Sequence, residues 1–283
     1  MQIDIKKPQF YLKPKMIWRR LNWKGTTVST TTSLGIRIDI HPAKVIGRSI
    51  GQTGVYDIVL TEVLFRLCKN AQFVLDIGAN IGYTAGVAAR AMKANGQLWA
   101  FEPNPEVLPY LQRNVANLTL KNMQVFTCAL SNQVGEAFLQ IPTETDNEGL
   151  AHITNTFSGN TQKVATETLD HLVAVSEQVD LMKIDVEGHE WAVLQGGSAL
   201  LQNHRVKHIL FEDHAEYPSK VAIFLLASGY TIFRLEKGWL GVQFKDPHSI
   251  SRVSKWEPVN YIATLDENAV HAAFKKRGYQ CLG

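Results

Sequence analysis

The stretch Phe73-Val-Leu-Asp-Ile-Gly-Ala-Asn-Ile-Gly-Tyr83 decides the fold class of this 283-residue chain. Its first five residues form an apolar run interrupted only by Asp76, which is typical of a strand buried on both faces of a sheet. Gly78 and Gly82 follow this run, and glycine permits a sharp turn and a close approach of the backbone to a ligand. The stretch therefore predicts a strand, a glycine turn and then a helix over 83–94.

Short apolar runs and helical segments continue to alternate along the chain. We expect buried strands at 73–77, 97–101, 124–129, 181–184 and 208–211, and a half-exposed strand at 35–40. The expected helices are 58–69, 83–94, 105–117, 190–202 and 219–228. This alternation requires crossover connections, and it therefore predicts a mainly parallel sheet covered by helices on both faces.

The end of the chain departs from the alternation. Residues 231–235 and 260–265 are both typical of strands, and no clear helical pattern lies between them. We therefore expect the sheet to end with an antiparallel strand. One α/β domain over residues 35–283 accounts for these elements, with a strand and helix subregion at 35–72 and a basic N-terminal extension over residues 1–34.

Composition excludes several classes of protein. Hydrophobic residues make up 45% of the chain and charged residues 19%, which supports a packed core rather than disorder. Three widely spaced cysteines do not make a disulfide scaffold or a cysteine-based zinc site. No apolar run approaches the roughly 18–20 residues of a membrane span. We therefore expect a cytoplasmic globular protein.

The N-terminal extension is strongly basic. Residues 1–24 carry seven Lys and Arg residues against Asp4 alone, whereas the formal net charge of the whole chain is +3. One interpretation is an arm that binds a polyanion or an acidic partner. The other is a packed extension whose aromatic residues, Trp18 and Trp23, cover the main domain.

Carboxylates follow the first two strands of the predicted sheet. Asp76 ends the first strand and Glu102 ends the second, and ligands bind beyond the carboxyl ends of such strands. A carboxylate at Glu102 can accept both hydroxyls of a ribose. The dinucleotide fingerprint would require glycine where this chain has Asn80 and Tyr83. These residues favour a positively charged, ribose-bearing cofactor, S-adenosylmethionine, over a nicotinamide dinucleotide.

A second group of ionisable residues follows the fourth and fifth predicted strands. The candidates for catalysis are Asp185, Glu187, His189, Glu212 and His214. Such a group could deprotonate an acceptor hydroxyl, or hold a divalent cation that does so. A metal-free network is favoured because no pair of histidines has the i, i+4 spacing of a metal site. Alternatively, Glu187 and Glu190 only complement the N-terminus of the next helix.

At these motifs the sequence resembles the FkbM-type S-adenosylmethionine-dependent methyltransferases. The similar segments are 74–83, 100–104, 168–170, 182–190, 193–196 and 260–263. The resemblance implies a class I, Rossmann-like fold with three α/β/α layers. It also implies a seven-stranded, mainly parallel sheet of order 3-2-1-4-5-7-6 whose seventh strand is antiparallel.

The resemblance also implies roles for individual residues. Asp76, Gly78, Asn80 and Gly82 would hold the methionine portion of the cofactor, Glu102 the ribose, and Ala129 and Leu130 the adenine. Ala79, Tyr83, Pro103 and Asn104 belong to the same candidate site. Members of the family are mostly O-methyltransferases of sugars, polyketides and related metabolites, so we expect a small-molecule or glycan acceptor.

Two other functions remain open. The basic extension, together with Lys183, Asp185 and Glu212, would suit a 2′-O-methyltransferase of RNA or DNA. The small net charge and the missing single-strand stacking motifs argue against it. The chain could also be a methyltransferase-like binding module without catalysis. We expect the acceptor to contact 143–162 and 236–258, the two long polar connections, of which the first could equally be a tolerated insertion.

Overall fold

The computed structural model describes residues 14–26, 28–142, 147–154, 156–213, 215, 217–249 and 259–282. The strands are β1 (Ser29–Thr31), β2 (Arg37–Asp39), β3 (Phe73–Ile77), β4 (Gln97–Phe101), β5 (Asn122–Phe126), β6 (Ala129–Leu130), β7 (Gly135–Gln140), β8 (His152–Thr154), β9 (Thr161–Glu167), β10 (Val179–Ile184), β11 (Val206–Glu212), β12 (Thr231–Gly238), β13 (Gly241–Lys245) and β14 (Asn260–Thr264). The α-helices are α1 (Pro14–Leu21), α2 (Val45–Thr53), α3 (Ile58–Leu67), α4 (Tyr83–Ala91), α5 (Leu108–Ala116), α6 (Leu169–Leu172), α7 (Glu190–Gly196), α8 (Ser198–Gln202), α9 (Lys220–Ala227) and α10 (Glu267–Ala273). Short 3-10 helices cover Cys68–Asn70, Glu148–Leu150 and Gln280–Leu282.

The large sheet confirms the predicted strand order. Its eight strands are ordered β13-β12-β14-β11-β10-β3-β4-β5. Five neighbouring strands from β11 to β5 are parallel, and β14 is antiparallel to both β11 and β12. Counted along the chain without β13, the order is 3-2-1-4-5-7-6. The sheet continues one strand further than expected because the chain turns back after β12 to form β13.

A second sheet, formed by strands between residues 129 and 167, includes part of the polar connection predicted over 143–162. Four strands have the order β6-β9-β7-β8, with β7 antiparallel to both β8 and β9. β8 and the start of β9 fall within 143–162, the predicted polar connection. Its own small core is formed by Leu139, Ile141 and Val164 with Ala129.

Three predicted helices differ from the structure in their bounds, and the helix expected over 83–94 ends at Ala91. The helix expected over 105–117 begins at Leu108, because the side chain of Asn104 holds a turn by accepting the N–H of Glu106. The helix expected over 190–202 is two helices, α7 and α8. The break occurs because the carboxylate of Asp170 accepts the N–H groups of Ala199 and Leu200 and so starts α8 separately.

Apolar side chains cover both faces of the large sheet. Along β3, Val74 packs into one core with α3 and α4, whereas Leu75 packs mainly into a second core with α7 and α9. The opposite directions follow from the two-residue period of a strand. The result is the expected three-layer arrangement of helices, sheet and helices.

The described part of the N-terminal extension packs against the rest of the chain. Met16 of α1 is buried in the same core as α3, and a Cβ atom at Gly51 would lie 2.2 Å from the ring of Trp23. Residues 1–13 lie outside the described residues, and the domain boundary between 34 and 35 stays a prediction. None of the helices in the described segments is both long and apolar enough to cross a bilayer.

A buried ion pair ties the end of the chain to α3. Glu62 and Arg66 are almost fully buried and contact each other one helical turn apart. Arg66 also donates hydrogen bonds to the carbonyl oxygens of Ala273, Lys276 and Gly278. The carboxylate of Glu62 accepts the N–H groups of Gln280 and Cys281. The pair therefore satisfies polar backbone groups that the C-terminal segment buries.

We predict that Arg66→Met lowers the free energy of unfolding by about 3–5 kcal/mol, because it leaves Glu62 buried without its cation. The control is Arg113→Met, since the side chain of Arg113 is 52% exposed and pairs with Asp39 at 3.3 Å. That variant should lose less than about 1 kcal/mol. Urea unfolding measures both values, and equal losses in the two variants would contradict the structural role of the buried pair.

Candidate active site

A cleft of about 630 Å³ lies at the carboxyl edge of the large sheet. It is lined by the ends of β3, β4, β10 and β11 and by residues of the small sheet. Nine predicted cofactor residues line it: Gly78, Ala79, Asn80, Tyr83, Glu102, Pro103, Asn104, Ala129 and Leu130. The predicted catalytic residues that line it are Asp185, Glu187, His189 and Glu212. His214 lies outside the described residues, and the roles of all these residues stay predictions.

The turn between β3 and α4 is held by hydrogen bonds to the end of β4 and by close packing against the residue that follows β10. The N–H groups of Gly78 and Ala79 both donate to the carbonyl oxygen of Phe101 at the end of β4. Gly78 has a φ of +75°, and a Cβ atom there would lie 1.9 Å from the carbonyl oxygen of Asp185. Glycine is therefore required both by the backbone conformation and by the close approach of the chain that follows β10.

Glu102 also holds the turn between β3 and α4, through a hydrogen bond from the N–H group of Asn80. It is buried, and its Oε2 and Oε1 accept the N–H groups of Asn80 and Asn104, both at 2.8 Å. Burial raises the pKa of Glu102 to about 7, against the opposing effect of these two hydrogen bonds. The backbone thus holds this carboxylate in one orientation at the wall of the cleft.

Asp76 lies behind the cleft rather than on its wall. The side chain is almost fully buried, and its Oδ2 accepts the hydroxyl of Thr84 at 2.7 Å. Its Oδ1 makes no hydrogen bond with any described residue, although the ammonium of Lys183 is 3.5 Å away. Gly82 is also absent from the cleft wall. A Cβ atom at Gly82 would lie 2.8 Å from the side chain of Leu111.

Lys183 connects the end of β3 to the end of β10. The sequence singled it out only for the alternative function, 2′-O-methylation of RNA or DNA, and not as a residue of the cofactor or catalytic site. Its ammonium donates to the carbonyl oxygens of Gly78 at 2.6 Å and Ile77 at 3.3 Å. It also lies 3.5 Å from carboxylate oxygens of Asp76 and Asp185. A lysine within an otherwise apolar strand is the sequence signal that could have identified it, because a buried ammonium requires partners.

Carboxylates gather on the other side of the cleft. Asp185, Glu187 and Glu212 line it together with Asp57, which caps α3 and also accepts the side-chain amide of Asn260 at 2.9 Å. Burial is the largest cause of the raised pKa values in this group, and the neighbouring negative charges add to it. The pKa of Glu212 rises to about 8 and that of Glu187 to about 7.

Tyr56 also lines this side of the cleft and was missed by sequence reasoning. Burial and the negative charge of Asp185 raise the pKa of its phenol well above the usual range, so the group stays protonated at neutral pH. A protonated phenol can donate a hydrogen bond to a ligand oxygen. No motif accompanies Tyr56 in the sequence.

The turn after β10 separates two carboxylates that the sequence placed together. The Oε1 of Glu190 accepts the N–H groups of Val186 and Gly188, so Glu190 holds the turn closed. Glu187 has a φ of +51° and its side chain is on the cleft wall. His189 contacts the hydroxyl of Ser131 at 3.0 Å, and burial lowers its pKa.

The small sheet supplies the remaining wall of the cleft. Residues 149–153 line it, and they belong to the connection that the sequence predicted as a binding loop or an insertion. Much of the second predicted acceptor region, 236–258, forms the β12–β13 hairpin, and 250–258 lie outside the described residues. Within the described ranges, no three His, Cys, Asp or Glu side chains are grouped to hold a metal ion.

The strand order, the antiparallel β14 and the glycine turn beside Glu102 define a class I, Rossmann-like methyltransferase fold. The profile of the methyltransferase FkbM domain family matches residues 76–232, more than half of the chain. The chain therefore belongs to this family and is an S-adenosylmethionine-dependent methyltransferase.

Comparison with known proteins finds one curated sequence and several solved structures that are similar to this chain. The hexuronic acid methyltransferase AglP of Haloferax volcanii is 28% identical over 206 residues, which are 72% of this chain and 81% of AglP. The O-methyltransferase TomG of Streptomyces achromogenes is 12% identical with a TM-score of 0.42, over 89% of this chain and 99% of TomG. A precorrin-6y C5,15-methyltransferase of Geobacter metallireducens is 17% identical with a TM-score of 0.41, over 73% and 88% of the two chains.

The raised carboxyl pKa values predict an unusual pH dependence of stability. Glu102, Glu187 and Glu212 hold their protons more tightly in the folded chain than in the unfolded chain. The free energy of unfolding of the ligand-free protein should therefore fall as the pH rises from about 5 to about 8. Urea unfolding across this range measures it.

The variant Glu212→Gln isolates the contribution of one of these groups. At pH 8 it should be more stable than the wild type by on the order of 2 kcal/mol, with a flatter pH profile. The control is Glu136→Gln, because the side chain of Glu136 is 61% exposed. If stability rises with pH and Glu212→Gln behaves like the control, the electrostatic description of the cleft is wrong.

Proposed function

We propose that this enzyme transfers a methyl group from S-adenosylmethionine to a hydroxyl group of a sugar, a glycan or a related small molecule. The observation that carries the proposal is that Asp185, Glu187 and Glu212 line the same cleft as the glycine turn and Glu102. A sugar acceptor is further supported by the similarity to a hexuronic acid methyltransferase.

The charges of the cleft fit a cationic cofactor. Lys183 is already paired with Asp76 and Asp185, whereas Glu102, Glu187 and Glu212 add further negative charge as they ionise. A sulfonium group would lower the cost of that charge. When bound, S-adenosylmethionine supplies an electrophilic methyl group, and the protein aligns it with the acceptor.

The individual residues would hold the cofactor as follows. Glu102 accepts the ribose hydroxyls, because its carboxylate is fixed by two backbone N–H groups and retains further acceptor capacity. Ala129 and Leu130 are buried apolar residues on the cleft wall and would contact the adenine. Asp76 is a positioning residue that acts through Thr84 and Lys183, since its own oxygens do not reach the cleft wall.

Glu212 is the base that we propose for the acceptor hydroxyl. A general base is most effective when its pKa lies near the working pH, and an ordinary carboxylate has a pKa that is too low for this. The pKa of Glu212, about 8, is closer to neutral pH. Asp185 lies 3.5 Å from the ammonium of Lys183 and forms an ion pair with it. Asp185 is therefore better suited to hold Lys183 in place than to take a proton.

The test is transfer of a tritiated methyl group from S-adenosylmethionine to a panel of neutral glycosides, uronic acid glycosides and polyketide hydroxyls. We expect O-methylation of a sugar hydroxyl, because the chain is similar to a hexuronic acid methyltransferase and its cleft holds carboxylates that can take the hydroxyl proton. Glu212→Gln should lower kcat by about 100-fold. Its affinity for S-adenosylhomocysteine should stay within about twofold of the wild type, a difference below about 0.5 kcal/mol.

The matched control is again Glu136→Gln, which should keep the wild-type kcat. Binding of S-adenosylhomocysteine without methyl transfer to any hydroxyl would contradict the proposed reaction. Full activity of Glu212→Gln would contradict only the choice of base, and methyl transfer to polyketide hydroxyls alone would contradict the sugar acceptor.

A further inference from the structure

The helix α1 presents its apolar side to solvent. Ile17, Trp18 and Leu21 are 43%, 65% and 64% exposed. Leu21 follows Ile17 by four residues and Trp18 by three, so the three side chains share one face of the helix. A surface helix of a packed domain normally has the opposite arrangement, with its apolar side toward the core.

The other side of α1 is anchored to the protein. Met16 is buried in the core, and the guanidinium of Arg19 donates hydrogen bonds to Thr30, to Thr31 and to the carbonyl oxygen of Ile50. Turning the helix to bury Trp18 would break these bonds and expose Met16. The outward position of the apolar face is therefore fixed by contacts within the chain.

The segment that carries this apolar face is basic. The segment 14–26 contains Lys15, Arg19, Arg20 and Lys24, and it contains no acidic residue. Lys15 and Lys24 are exposed. An apolar helix face that carries tryptophan and is flanked by lysine and arginine is the arrangement that lies in the interface of a bilayer.

We propose that α1 docks this enzyme on a membrane surface that contains anionic lipids. Ile17, Trp18 and Leu21 enter the boundary between headgroups and acyl chains, while Lys15 and Lys24 contact lipid phosphates. A nucleic acid would satisfy the basic residues but not Ile17 and Leu21, which offer no ring for base stacking. A second copy of this chain would bring two basic helices together.

The position of α1 relates this docking surface to the cleft. α1 packs on α2, and Ile46 of α2 lines the cleft. A docked enzyme thus holds the helix that borders its cleft next to the lipid surface. An acceptor at the level of the lipid headgroups would then be within reach of the cleft, and this step rests on the proposed function. The docking of α1 on the membrane does not rest on it.

The experiment is co-sedimentation of the full-length chain with vesicles of phosphatidylcholine, with and without phosphatidylglycerol. We expect binding only to the vesicles that contain phosphatidylglycerol, and weaker binding at high salt. Trp18→Ser should lower the partition coefficient by about tenfold, because it removes one large apolar side chain from the interface. Trp239→Ser is the matched control, since Trp239 is 66% exposed on the β12–β13 turn.

The control should bind like the wild type, and both variants should unfold at the wild-type temperature because both side chains are exposed. Three results would overturn the proposal: no preference for anionic vesicles, equal losses in the two variants, or a Trp18→Ser variant that binds vesicles normally. A different partner for the apolar face of α1 would follow if the wild type did not bind vesicles but bound RNA or self-associated, and if Trp18→Ser lost that binding. None of these readouts requires methyl transfer, so they are independent of the acceptor.

Discussion

The buried ammonium group of Lys183 is the interaction on which the site depends. It donates to the carbonyl oxygens of Ile77 and Gly78 at the end of β3 and pairs with Asp185 just beyond β10. Burial alone would lower the pKa of Lys183, but Asp185, Asp76 and Glu102 together raise it, so the group stays charged. One cation thus fixes the glycine turn against the strand that carries the candidate catalytic residues. Without this ammonium group, the carboxylates of Asp76 and Asp185 would lie near each other, between β3 and β10, with no cation between them.

The parts of the fold that depend on local patterns could be predicted from the sequence. Apolar runs such as 73–77 identify buried strands because both faces of a parallel sheet are covered. The helix expected over 58–69 is α3, and its N-cap Asp57 belongs to a local hydrogen-bonding motif of the kind that a sequence can show. The strand order came from the family resemblance rather than from the pattern. The small sheet was missed because its strands are short and polar, and β7 pairs with β9 over a long separation in sequence.

The candidate site was predictable where a residue directly follows a strand. Glu102 and Asp185 were found in this way, because parallel strands end at one edge of the sheet. The buried role of Lys183 was not predicted, since it depends on contacts with β3, about a hundred residues earlier in the chain. Tyr56 was missed for a similar reason, as it reaches the cleft from the segment before α3. The sequence also showed that the N-terminal extension is basic, but only the contacts of Arg19 show which side of α1 faces solvent.

The most direct test of this account is the affinity of Lys183→Gln for S-adenosylhomocysteine, measured by isothermal titration. Glutamine can still donate to the carbonyl oxygen of Gly78, so the variant removes the charge while keeping a hydrogen bond. The account predicts at least about tenfold weaker binding, because Asp76 and Asp185 lose their shared cation. The control is Lys207→Gln, because Lys207 lies on β11 and forms a half-exposed ion pair with Asp266. This variant should bind S-adenosylhomocysteine like the wild type. A folded Lys183→Gln variant with unchanged affinity would contradict the account.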